Sequence, residues 1–181
     1  MTWGKVARRI RVPLGFLLAV AYFYLARPSW MSIAIGGAIA VVGVIIRASA
    51  SGHVKKNEEL TTTGPYAHTR NPLYLGSIVI AGGFAIAARS WWIVAILVVM
   101  FVAIYVPVIR GEEAFLRSTF PDQFANYCRR VPRLLPRLTR ADSGYGSFSA
   151  ALYRKHREYN AALGTAAMLA ALVAKLLWFR S

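Results

Sequence analysis

Two polar segments hold most of the residue types that could do chemistry. Residues 58–74 read Glu-Glu-Leu-Thr-Thr-Thr-Gly-Pro-Tyr-Ala-His-Thr-Arg-Asn-Pro-Leu-Tyr, and residues 110–136 open with Arg110, Gly111, Glu112 and Glu113. Glu112 and Glu113 adjoin the end of a long apolar run. Two neighbouring carboxylates there repel each other and are costly to strip of water. A cationic partner or ligand for at least one of them relieves both problems, and Arg70 is the cation that the chain could return to the same place. Each residue also has an ordinary reading. Arg70 can be a charge at a span end, Tyr66 and Tyr74 interfacial anchors, and the acidic pair the solvated start of a loop.

The elements that would position these residues are apolar runs. They cover residues 12–26, 30–46, 73–88, 91–109 and 161–179, the last interrupted by Lys175. Each is at or slightly under the ~20 residues that a membrane helix needs. Only Arg89 and Ser90 separate the third and fourth runs, which predicts a tight antiparallel helical hairpin. At about 1.5 Å per residue the chain crosses and returns. Arg70, Glu112, Glu113, Tyr66 and Tyr74 then converge at one mouth of the bundle. Gly64-Pro65 predicts a turn, and Pro72 fits the first turn of the third helix. In the second run Gly36, Gly37, Ala40 and Gly43 would let helix backbones approach closely. Trp30, Trp91, Trp92 and Trp178 fall at run ends, where an aromatic belt would place them.

Composition agrees with membrane spans. The 181 residues are 57% hydrophobic, yet the formal net charge is +15. Apolar spans joined by basic loops reconcile the two numbers. The cations gather at run ends rather than along a soluble face, which argues against nucleic-acid binding. Lys5, Arg8, Arg9 and Arg11 precede the first run, and further cations lie between Arg47 and Arg70 and between Arg110 and Arg157. The positive-inside rule puts these segments in the cytoplasm. The carboxyl terminus is then outside, unless the fifth run is re-entrant or interfacial. Residues 139–149 read as a linker, and residues 150–160 either as a basic juxtamembrane helix on anionic headgroups or, equally, as an ordinary solvated charge run. Cys128 reads as a packing residue, with a reactive thiol beside Arg129 and Arg130 as the alternative. No metal-ligand spacing is present.

The ordered set Gly64-Pro65-Tyr66, Arg70-Asn71-Pro72-Leu73-Tyr74, Glu112-Glu113 with Leu116 and Phe120, and Tyr127, Arg130-Val131-Pro132-Arg133 and Pro136 resembles the isoprenylcysteine carboxyl methyltransferase and phospholipid methyltransferase group of membrane enzymes. The likeness runs from about residue 61 to 136. It implies S-adenosylmethionine (S-adenosyl-L-methionine) as methyl donor, with Glu59, Leu60, Thr61 and Tyr66 along the cofactor. Asn71, Pro72, Leu73 and Tyr74 would line its methionine and sulfonium end. Glu112 would contact it directly, and Arg70 and Glu113 would organise the site or touch the acceptor. Many members carry His where this chain has Asn71. The substrate-carboxylate arginine of eukaryotic members falls here on Val108, with Arg110 nearby. Tyr faces can attract a sulfonium and a carboxylate can bind an ammonium. An amine or thiol acceptor would need a proton acceptor, for which Glu113 is the choice. No Gly-x-Gly-x-x-Gly motif links a strand to a helix, which argues against the soluble dinucleotide-type fold.

The expectation is an all-α integral membrane bundle of about five transmembrane helices with a cytoplasmic catalytic cap. Residues 1–181 form one membrane domain, with a catalytic core at 61–136, a linker at 139–149, and a basic helix plus the last apolar helix at 150–181. The expected reaction is S-adenosylmethionine-dependent methyl transfer to a lipophilic acceptor from the bilayer, a lipid-like carboxylate or thiol. The alternatives are a phospholipid amine acceptor, an NADPH-dependent sterol-type reductase, and a small transporter or scaffold. The expected partners are the membrane and a lipid or lipophilic small molecule, with no nucleic acid.

Overall fold

The computed structural model describes residues 15, 17–55, 59–139 and 146–178. The basic segment from Lys5 to Arg11, the beginning of the first run, and Ser143 and Gly144 of the linker lie outside them. Every regular element among the described residues is helical. They are α1 (residues 17–25), α2 (Trp30–Ser51), a 3₁₀ turn (Gly64–Ala67), α3 (Pro72–Ala88), α4 (Trp91–Met100), α5 (Val106–Thr119), α6 (Pro121–Arg130), α7 (Ala150–Lys155) and α8 (Tyr159–Trp178).

The closest helix pair is α2 with α3, and glycine explains it. A Cβ on Gly36 would lie 2.3 Å from the Gly83 carbonyl oxygen, and one on Gly43 would lie 2.7 Å from that of Gly76. Gly36 and Gly43 are two turns apart on α2, and Gly76 and Gly83 are two turns apart on α3. The two antiparallel backbones therefore touch at matching heights, as small residues permit in lipid. Gly37 faces α8 instead, where its Cβ would meet Leu169. Ser29 and Ser32 form a capping box at the start of α2, and the Ser32 hydroxyl also reaches the Ala87 carbonyl oxygen at 3.0 Å.

The α3–α4 connection is as short as the sequence indicates. Pro72 opens α3, and Arg89 closes it in the left-handed region at φ 51°. The hairpin is not tight along its length, however. α3 lies against α2, and α3 and α4 share few contacts beyond their turn. The expected loop after residue 109 is also absent. α4 passes through a π turn at Phe101–Tyr105 directly into α5. Trp91–Thr119 is thus one 29-residue helical stretch. Its length, roughly 44 Å, exceeds a ~30 Å hydrocarbon core, so the acidic pair sits on a projecting helix.

The carboxyl-terminal part also departs from expectation. The basic helix ends at Lys155, Arg157 takes a left-handed φ of 53°, and α8 begins at Tyr159. Lys175, late in α8, donates to the carbonyl oxygens of Phe23, Tyr24 and Ala26 at the end of α1. Glu158, just before α8, pairs with Arg47 near the end of α2. So α8 runs the length of the bundle. The Arg27 amide bonds to Ala88 at 2.8 Å. The ends of α1, α3 and α8 therefore share one face with the starts of α2 and α4. Trp30, Trp91, Trp92 and Trp178 are exposed at that face.

Among the described residues three helices, Trp30–Ser51, Trp91–Thr119 and Tyr159–Trp178, are long and apolar enough to cross a membrane, and Pro72–Ala88 is a shorter apolar helix. Membrane-impermeant thiol labelling checks the arrangement. In a Cys128→Ser background, Ser90→Cys and Ser118→Cys should label from opposite sides of sealed vesicles. Labelling of both from one side would break the hairpin.

Candidate active site

Successive residues on a helix point about 100° apart. That separates the two acids that the sequence left side by side: Glu113 turns inward and is 6% exposed, while Glu112 faces solvent. The first becomes the centre of a buried polar knot. Arg133 Nε and Nη2 donate to Glu113 Oε2 at 2.9 and 2.8 Å. Asn71 Nδ2 donates to Glu113 Oε1 at 3.2 Å and to the Arg133 carbonyl oxygen at 3.0 Å. Arg70 Nε lies 3.6 Å from Glu113 Oε1 and is buried without a hydrogen-bond partner.

Three contacts hold Arg70 and Asn71 in this position. The Arg70 amide bonds to Pro132 at 2.9 Å, and the Thr69 hydroxyl reaches the carbonyl oxygens of Arg133 and Leu134 at 3.2 and 3.1 Å. The Arg70 guanidinium lies 5.9 Å from the Phe124 ring centre and touches the Cys128 sulfur. Arg70, rather than Arg129 or Arg130, is thus the cation beside Cys128. Below it, Phe124, Tyr127 and Val131 form an apolar cluster with Leu60 and Leu116.

Glu112 accepts a 3.0 Å hydrogen bond from the Tyr74 hydroxyl. Tyr74 meets Tyr105 edge to face at 5.9 Å, and Tyr105 belongs to the π turn. Turns of this kind recur at functional sites. Tyr66 is buried on the 3₁₀ turn, and its carbonyl oxygen accepts from the Tyr127 hydroxyl at 2.7 Å. Burial raises the Tyr66 phenol above its ordinary pKa, as do neighbouring Tyr127, Glu112, Glu158 and Tyr74. Burial raises Tyr127 too, against the opposing pull of Arg70. Both phenols are neutral hydrogen-bonding groups near neutral pH.

The other residues singled out in the sequence lie around this centre. Pro72 is buried at the start of α3, and the Leu73 carbonyl oxygen accepts from Arg47 and Ser77. Glu59, Leu60 and Thr61 line a polar cleft of about 390 Å³ with Thr62, Thr63, Phe120 and Gln123. Glu59 pairs with Lys55 at 3.2 Å, and the Thr61 hydroxyl accepts from the Lys55 amide. Val108 is buried and Arg110 is exposed.

Three participants were not singled out from sequence: Arg47, Glu158 and Tyr105. Arg47 reads as one more positive-inside charge, yet its guanidinium grips Glu158 from 111 residues away. Only the paired ends of α2 and α8 bring them together. Tyr105 carried a signal in retrospect, as a polar aromatic late in an otherwise apolar run. Among the described residues no three His, Cys, Asp or Glu side chains group as metal ligands would.

The chain is 41% identical over 85 residues to a cobalt-zinc-cadmium resistance protein, CzcN, of Cupriavidus metallidurans, covering 47% of this chain and 39% of that protein. It is 41% identical over 100 residues to a nickel-cobalt-cadmium resistance protein, NccN, of Alcaligenes xylosoxydans xylosoxydans, covering 52% of this chain and 46% of the relative. The chain thus spans less than half the length of either relative. No solved structure matches it significantly. The family model for phospholipid methyltransferases matches residues 11–123, a stretch that includes Tyr66, Arg70, Asn71, Tyr74 and both acids and covers more than half of the chain. This protein is a member of the phospholipid methyltransferase family.

Proposed function

We propose that this protein transfers a methyl group from S-adenosylmethionine to a lipophilic acceptor drawn from the bilayer. The observation that carries the reading is the division of labour between neighbouring acids. Glu113 is locked among Arg70, Arg133 and Asn71, whereas Glu112 stays exposed with a single tyrosine donor. The lock holds the helix end still, and the exposed carboxylate remains available for an ammonium.

The residues fit the donor used across the family. Glu112 would take the ammonium of its methionyl part, and the faces of Tyr66 and Tyr74 would attract the sulfonium. Glu59 and the threonines of the 59–63 cleft would accept and donate hydrogen bonds to ribose. Bound there, the cofactor supplies an electrophilic methyl group. The chain supplies position and exclusion of water, which are the main aids to an in-line displacement. Glu113 is a positioning residue in this reading. Arg133 and Asn71 donate to it, and Arg70 lies alongside. A cytoplasmic site follows from the basic segments flanking it.

Ligand-induced stabilisation tests the reading. S-Adenosylhomocysteine should raise the unfolding temperature of the detergent-purified protein, with a gain of roughly 2.7 kcal/mol at 100 times Kd. No shift at millimolar S-adenosylhomocysteine, together with a shift from NADPH, would replace the transferase by a reductase.

A further inference from the structure

Residues 129–139 read Arg-Arg-Val-Pro-Arg-Leu-Leu-Pro-Arg-Leu-Thr, and no acidic residue occurs between Gln123 and Thr139. Only Arg133 of these arginines takes part in the knot around Glu113. Among the described residues no carboxylate forms an ion pair with Arg129, Arg130 or Arg137. Arginines interleaved with leucines suit the boundary between hydrocarbon and headgroups, where each side chain meets its own solvent.

The stretch is not a frayed end. α6 stops at Arg130, and the loop beyond it is held along residues 68–71. The Arg70 amide donates to the Pro132 carbonyl oxygen at 2.9 Å, and the Arg137 amide donates to that of His68 at 3.0 Å. His68 Nδ1 pairs with the Arg137 carbonyl oxygen at 2.9 Å. With the backbone so held, Leu135 is still 79% exposed and Leu138 97% exposed. The fold presents these leucines outward. Arg137 Nη1 donates to the Arg130 carbonyl oxygen at 2.6 Å, which sets its guanidinium beside the Arg130 backbone. Like charges gathered in this way repel, and a shared anion relieves them.

The depth of the loop follows from α3. That helix is 17 residues long, or roughly 25 Å, close to the ~30 Å of a hydrocarbon core. Its far end lies with the exposed tryptophans, so Pro72 lies near the opposite interface. Residues 68–71 directly precede Pro72, and the loop pairs with them. Leu135, Leu138 and the unpaired arginines are therefore at headgroup level, unlike the projecting end of α5.

We infer that residues 129–138 form a docking surface for anionic phospholipid. Leu135 and Leu138 enter the acyl boundary, and Arg129, Arg130 and Arg137 take the phosphate headgroup. Charge complementarity selects the lipid, since a zwitterionic headgroup offers these cations no net counter-charge.

Fluorescence quenching in nanodiscs tests this on the full chain. In the Cys128→Ser background, Leu138→Cys or Leu135→Cys carries a bimane label. Acyl-chain-brominated phosphatidylglycerol or phosphatidylcholine is titrated into a phosphatidylcholine bilayer. Both leucine positions should be quenched, and a label at Ser118→Cys, on the projecting end of α5, should not. Half-maximal quenching should need about tenfold less phosphatidylglycerol than phosphatidylcholine. Arg129→Gln and Arg130→Gln, both exposed positions, should each raise the phosphatidylglycerol midpoint about fivefold. At 1 M salt, where the screening length falls to about 3 Å, the two midpoints should approach each other while quenching persists. Equal midpoints at low salt would reduce the loop to an apolar anchor and overturn the headgroup site. An unquenched label at both leucine positions would place the loop in water or under a protein partner and overturn the inference entirely.

Discussion

Glu113→Ala should destabilise the protein by about 3–5 kcal/mol, the usual cost of removing one partner from a buried ion pair. The carboxylate is 7% exposed and Arg70 is 12% exposed, so the variant leaves a guanidinium in a place that water scarcely reaches. Arg133 is 51% exposed and recovers its hydration, so the loss concentrates on Arg70 and on the Asn71 amide. Reversible unfolding in mixed detergent would read the change. Glu113→Gln should recover only part of it, because an amide keeps one acceptor oxygen for Asn71 but offers no charge to two arginines. An alanine variant as stable as the parent would mean that the knot does not hold α5 to the start of α3.

Glu112→Gln should behave in the opposite way. Its side chain is exposed and loses little in the folded protein beyond a tyrosine hydrogen bond, so stability should barely move. Affinity for S-adenosylhomocysteine should fall roughly 10- to 150-fold, as a charge-assisted hydrogen bond worth about 1.5–3 kcal/mol is lost. Isothermal calorimetry on the purified variant measures this. Arg70→Lys is the companion experiment. Lysine keeps the charge, but a point charge on a flexible stem cannot face Glu113, Cys128 and the Phe124 ring together, so methyl transfer should drop. Unchanged affinity in Glu112→Gln and full turnover in Arg70→Lys would return both residues to the ordinary roles of charges at a membrane surface.

These contrasting outcomes for neighbouring acids depend on facts of different origin. That Glu112 and Glu113 return to the face of Arg70 is legible in the chain, because two apolar runs of about a membrane's thickness separate them and a two-residue link reverses the direction. That Pro72 begins α3 is legible too, because proline lacks the N–H that a first helical residue does not need. The seven-residue spacing of Gly36 to Gly43 and of Gly76 to Gly83 already contains the α2–α3 contact, although a second helix has to be placed before the match shows.

Other features are tertiary. Residue order cannot tell which of two adjacent acids is buried; that depends on where the continuous helix from Trp91 to Thr119 happens to point when Arg133 and Asn71 meet it. A continuing helix after residue 109 is hidden by composition, since charge rises there and a polar amphipathic helix looks like a loop when its partners are unknown. The pairing of Arg47 with Glu158 joins residues 111 positions apart, and neither has a local pattern that names the other. Run lengths, charge bias and proline placement are local or one-dimensional quantities, so the sequence by itself determined an all-helical chain with membrane-length spans and the family to which it belongs. Burial and charge pairing are properties of surfaces brought together from distant segments, so only the tertiary structure decided which acid is locked and which stays available.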